Sequence, residues 1–293
     1  MRSSTLHRAT LVIAALALLS GATAGNAAAT ADDQALLART AEAHAHDTPV
    51  ATPAATTAPT VPVTGGEVVY ATIAGQPVKG FVARPAGSEG KALPGLIVIH
   101  EWWGLNDNVR DEAKRLAGEG YVVLAVDLYR GEVADVPPAA MKLSRSLTEN
   151  PGPAEENLRQ AYAWLNDVAK APRIGTIGWC LGGRWSFRTA QLFPADVDAT
   201  VIYYGSVKAD DAVVAPLKMP VLGLFGGKDR VVPMPMVEAF REQSARLGRD
   251  VTIQVYPEAD HAFANPSGTA YDAAAAEDSW ARTTAFLAAN LKR

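Results

Sequence analysis

One cysteine stands in the whole chain, Cys180, flanked by glycines in Gly178-Trp179-Cys180-Leu181-Gly182-Gly183. An apolar run at 173–177 precedes it, and apolar residues with helical spacing follow over 181–193. Strand, tight turn and helix form the setting in which a nucleophile is presented at the end of a sheet. The glycines allow a cramped backbone and close approach of strand and helix. A helix N-terminus behind the sulfur favours the thiolate, the form that attacks. Outside such a setting a free cysteine is a small core residue; here the glycines and the partners downstream point to chemistry.

A thiol nucleophile needs a base, and histidine serves best near neutral pH. Five histidines are present. His7 lies in the leader, and His44 and His46 precede an Ala, Thr and Pro-rich tract, which leaves His100 and His261. His261 follows the apolar run at 251–256, and catalytic groups collect at such strand ends. The acid that orients it is expected to be Asp229, in Gly226-Gly227-Lys228-Asp229-Arg230-Val231-Val232-Pro233. Asp260 is a rival by sequence, but a side chain adjacent to His261 diverges from it. His44-Ala45-His46 offers two ligands on a mobile segment, short of the three or four that a metal site needs. No metal and no cofactor are expected.

The loop His100-Glu101-Trp102-Trp103-Gly104-Leu105-Asn106 follows the apolar run at 95–99. The amides of Trp102 and Leu181 are expected to form an oxyanion hole, where one donor is worth about 3 kcal/mol. Glu101 is either a partner that governs the thiol's proton or a structural carboxylate paired with an arginine. Trp102, Trp103, Tyr129 and Trp179 either line an apolar pocket or pack the core.

These residues need a frame. Strands are predicted at 67–73, 78–83, 95–100, 121–126, 173–177, 199–204, 221–225 and 251–256. Helices are predicted at 108–119, 141–148, 153–169, 181–193, 236–247 and 270–291, with a short one possible at 32–47. The first two strands pair as a hairpin around Gly75. The rest alternate, giving an α/β fold with a mostly parallel sheet and helices on both faces. The 293 residues divide into a signal peptide (1–31), an N-terminal extension and linker (32–64) and one catalytic domain (65–293). The leader joins Arg2 and Arg8 to an apolar core at 11–19, too short to span a bilayer, and ends in small residues. A periplasmic or secreted protein is expected, with no membrane contact after cleavage. Net charge is −4 with both signs interspersed, so no nucleic-acid footprint is present. A monomer or homodimer is expected.

Taken as a set, the segments 100–106, 178–183, 226–233 and 259–263 resemble the dienelactone hydrolase family of α/β hydrolases. The likeness runs from about Gly65 to the C-terminus. It implies a triad of Cys180, His261 and Asp229, a role for Glu101 in activating the thiol, and lactone opening without a cofactor. In family members that act on dienelactone, arginines clamp the substrate carboxylate. One is expected four residues after the histidine, where this chain has Asn265. The other is expected just after an Asp-Leu-Tyr segment, where Arg130 is shifted by one position. Arg130 and Asn265, with Trp103, Tyr129 and Trp179, are the substrate-binding candidates. The overall expectation is an exported cysteine hydrolase of small esters or lactones, working through a thioester. A narrow carboxymethylenebutenolidase and a non-enzymatic binding module on the same scaffold are the alternatives; a thiol-redox role lacks a second cysteine.

Overall fold

The computed structural model describes residues 30–50 and 57–292. The signal-peptide expectation for 1–31 falls almost wholly outside these residues. Among the described residues no helix is long and apolar enough to cross a membrane.

Helix α1 (Ala31–Ala43) opens on a reciprocal cap, in which Thr30 accepts from the Asp33 amide and Asp33 accepts from the Thr30 amide. Strands β1 (Val63–Ile73) and β2 (Gln76–Pro85) form the expected hairpin. Its two-residue turn places Ala74 at φ 50° and Gly75 at φ 76°, the double left-handed geometry that suits a twisted ribbon. There follow β3 (Gly95–Ile99), α2 (Asp107–Gly118), β4 (Val122–Val126), α3 (Pro137–Glu149), α4 (Gly152–Ala163), β5 (Ile174–Trp179) and α5 (Leu181–Leu192). The chain ends with β6 (Ala199–Tyr203), α6 (Asp211–Val214), β7 (Val221–Gly226), α7 (Met234–Arg246), β8 (Val251–Tyr256) and α8 (Ala273–Leu291).

The eight strands form one sheet in the order β1-β2-β4-β3-β5-β6-β7-β8. The hairpin and the β2–β4 pair are antiparallel, and every other pair is parallel. Every residue of β3, β4, β5, β6 and β7 is buried, the signature of strands covered on both faces. The C-terminal ends of β3, β5, β7 and β8 therefore open onto one edge, and the loops that leave them carry the chemistry-bearing residues.

Beyond α6, a short helix at Asp211–Val214 that no expectation covered, two elements differ from expectation. The helix predicted over 153–169 is α4 followed by a π-helical turn, Trp164–Val168, which spacing of apolar residues does not reveal. The larger correction concerns the extension. His44 was expected on a mobile segment, yet α1 docks on the domain and leaves His44 only 1% exposed. Leu37 is buried, Asp33 Oδ1 meets Arg184 Nη2 at 3.0 Å, and Arg39 Nε donates to the Val231 carbonyl at 3.3 Å. His46 remains exposed.

Candidate active site

Cys180 ends β5 and begins α5 with φ 52° and ψ −115°, a left-handed backbone that few non-glycine residues adopt. Its amide donates to the Tyr203 carbonyl at 3.0 Å, and its carbonyl accepts from the Arg184 amide at 3.1 Å, which fixes the bend from both sides. A side chain at position 178 would collide with the Gly182 carbonyl, and one at 182 with the carbonyls of Ile99 and His100. The glycines thus let the elbow close on itself and press against the loop after β3. The sulfur sits in this bend, 4% exposed at the residue level.

His261, in the loop after β8, places Nε2 3.1 Å from the Cys180 Sγ. Its Nδ1 lies 2.8 Å from Asp229 Oδ2, in the loop after β7. The other Asp229 oxygen accepts from the amides of Val231 and Val232 at 2.7 and 2.8 Å. The carboxylate is therefore held by its own loop and fixes the ring, so that Nδ1–H donates and Nε2 faces the sulfur. All three groups are buried. Asp260 instead caps the His261 amide at 2.7 Å.

A sequence model of the dienelactone hydrolase family matches residues 78–291. The chain belongs to that family. It is 33% identical over 229 residues to Protein usf of Aquifex pyrophilus, spanning 76% of this chain and 97% of that one. It is 31% identical over 250 residues to a Saccharolobus solfataricus protein described as a candidate carboxymethylenebutenolidase, covering 73% and 94% of the two chains. Among solved structures, a Klebsiella pneumoniae protein described as a candidate dienelactone hydrolase superposes with a TM-score of 0.69 at 30% identity. That match covers 78% of this chain and 99% of the other. The architecture is the α/β-hydrolase fold, and the protein is a hydrolase of the ester and lactone type.

Within this member of the dienelactone hydrolase family the remaining candidates separate clearly. Glu101 borders a cleft with Trp103, Trp179, Tyr204 and Asn265. Its Oε1 accepts from the Tyr204 hydroxyl at 3.3 Å and its Oε2 from Asn265 Nδ2 at 2.5 Å. No arginine pairs with it in these contacts. Burial pushes its carboxyl up, and the charges of His44 and His261 pull the other way. Asn265 thus binds Glu101 within that cleft. Trp102 is fully buried, and Tyr129 lies beneath it with its hydroxyl donating to the Trp102 carbonyl at 3.1 Å. Tyr129 lines neither this cleft nor the one above the sulfur. Arg130 also lines neither; it is exposed, at φ 56°. The Leu181 amide is directed at the Cys180 sulfur. His100 is structural: its Nε2 accepts from the Leu128 amide at 3.1 Å and its Nδ1 donates to the Glu101 carbonyl at 2.6 Å, tying the loop after β3 to β4.

A second, narrow cleft lies over Cys180 and His261. Its wall includes Leu36, Leu37 and Thr40 of α1 together with Leu181, Val231 and Val232. Sequence reasoning missed this use of the extension and missed His44. The His44 Nε2 is 3.8 Å from the Cys180 Sγ, and its Nδ1 is 2.7 Å from Asp47 Oδ2. The signal was the spacing of His44 and Asp47 just past a helix end, but nothing in the sequence aims that pair at residue 180. The donor atoms of His44, Cys180 and His261 lie within 4.8 Å of one another. Burial pushes the His44 imidazole down, but Asp47 and the sulfur outweigh it and lift the ring to about 9. His261 Nδ1 is held by Asp229 and His44 Nδ1 by Asp47, so the cluster is a thiol flanked by two oriented imidazoles.

Proposed function

We propose that the protein hydrolyses small, neutral carboxylic esters or lactones through a covalent thioester on Cys180. The hydrogen-bonded line Sγ–His261–Asp229 carries this reading. His261 Nε2 takes the thiol proton as the sulfur attacks the carbonyl carbon, forming a C–S bond while the carbonyl π pair moves to oxygen. The Leu181 amide, with that of Trp102, stabilises the oxyanion. The oxyanion collapses, the alkoxide leaves with the proton from His261, and the acyl group remains on sulfur. Water, deprotonated by the same imidazole, then releases the acid.

Neutral substrates are favoured because the clamp for an anionic one is missing. Asn265 is engaged by Glu101, and Arg130 faces solvent away from both clefts. Arg184 borders the cleft over the sulfur but is paired with Asp33. Leu36, Leu37, Leu181, Val231 and Val232 give that cleft an aliphatic side, which suits a short acyl chain. Export to the periplasm or medium is part of the same proposal and rests on the leader pattern; mass spectrometry of the mature N-terminus tests it. The test of function is hydrolysis of p-nitrophenyl acetate during stepwise alkylation with iodoacetamide. Turnover should fall in step with modified Cys180 and vanish in Cys180→Ala. Unchanged turnover in that variant removes the sulfur from the mechanism, and no turnover by the intact protein favours the binding-module alternative.

A further inference from the structure

His44 is not explained by the fold. It caps the C-terminal end of α1, and its ring is buried between Trp102, at 4.8 Å between centroids, and His261, at 5.4 Å. Its outer nitrogen is held by Asp47, whose other oxygen accepts from the Thr269 amide at 2.9 Å and the Thr269 hydroxyl at 2.7 Å. Thr269 lies in the segment that follows His261. The arrangement repeats the logic of His261 and Asp229: a carboxylate anchored by backbone and hydroxyl donors fixes an imidazole whose inner nitrogen faces Cys180. Burying an imidazole and a carboxylate is costly unless their contacts compensate, and an extension tethered only for shape needs neither group.

We propose that His44 and Asp47 form a second imidazole–carboxylate pair serving the nucleophile, in which the His44 imidazolium is the counter-charge to the Cys180 thiolate. The inference rests on Cys180 being the nucleophile. Labour is divided between the two rings. The His44 Nε2–H stays protonated throughout and points at the sulfur. His261 begins neutral, accepts the thiol proton and returns it to the leaving group. Four titratable groups surround His44: Asp47 after α1, Cys180 at the start of α5, His261 after β8 and Glu101 after β3. Asp47 supports the cation. Glu101 opposes the thiolate that His44 favours, and a charged His261 opposes His44. The Trp102 ring supplies an aromatic face for the charge. In the resting protein burial pushes the thiol up and Glu101 adds to this, while His44 is the main opposing influence.

The experiment measures the rate of iodoacetamide alkylation of Cys180 against pH in the full chain. His44→Gln should raise the midpoint by about 1–3 pH units, the loss expected for a cation a few ångströms from an acid. Asp47→Asn should raise it less, in the same direction. Circular dichroism identifies variants that fold. If His44→Gln does not fold, Asp47→Asn and the nitrogen NMR titration of His44 in the unmodified protein decide the matter. A midpoint unchanged or lowered in the folded variants overturns the proposal, as does a neutral His44 at pH 7. A raised midpoint without any ester turnover would leave the His44 pairing intact and refute the hydrolase reading alone.

Discussion

Two imidazole–carboxylate pairs converge on one sulfur, and they are built differently. The His261–Asp229 pair comes from loops at the ends of β8 and β7, adjacent parallel strands in the buried sheet. Its carboxylate is held by two amides of its own loop. The His44–Asp47 pair comes from a segment before the first strand. It is held by Thr269, the Asp33–Arg184 ion pair and one hydrogen bond from Arg39. The first pair is therefore anchored directly to the ends of the sheet. The second can be weakened without unfolding the sheet, because local opening follows the number of buried contacts that hold an element.

That asymmetry can be broken experimentally. The largest effect is expected at the sheet-borne pair: His261→Ala should lower kcat toward p-nitrophenyl acetate by about 10⁴-fold or more, as loss of a sole base does. Asp229→Asn should cost about 10³–10⁴-fold by releasing the ring into the wrong tautomer. Steady-state kinetics checks both. A smaller effect belongs to the docked pair: His44→Gln should slow turnover at pH 7 by about 10-fold or more through a smaller thiolate fraction, and raising the pH should restore part of it. Asp229→Asn should show no such recovery.

Stability should vary with pH through His44 in the direction set by its lifted ring. A group whose folded value is about 9 and whose unfolded value is 6.5 stabilises the fold fully below pH 6.5. That contribution fades as the pH rises through about 9. Thermal melts between these limits should show the decline in the unmodified protein and less of it in His44→Gln. The smallest effect is expected from Asp33→Asn, which removes a partly exposed ion pair worth about 0.2–1 kcal/mol. Its melting temperature should barely move, while the alkylation midpoint of Cys180 should rise by less than in His44→Gln, as α1 carries His44 away from the sulfur more often.

The sheet and the first pair were legible because apolar runs mark buried strands and catalytic residues follow strand ends. Cys180, His261 and Asp229 each stand just past such a run, so the topology delivers them to one place. His44 had no such address. A helix at 32–47 could be read from the sequence, yet Leu36 and Leu37 are its only large apolar residues, and the Ala, Thr and Pro-rich stretch after it carries no direction. Docking depends on a surface formed by α3, α5 and the loops after β7 and β8, which exists only after folding. The left-handed Arg130 shows the same limit in reverse: a charged residue near the expected position turned out to face solvent.

The family model's match begins at Val78, thirty-four positions beyond His44. Trimming the gene to that matched portion would remove the β1 strand and the imidazole beside Cys180 together. Under the pairing proposed above, what precedes the sheet reaches the sulfur that the sheet presents.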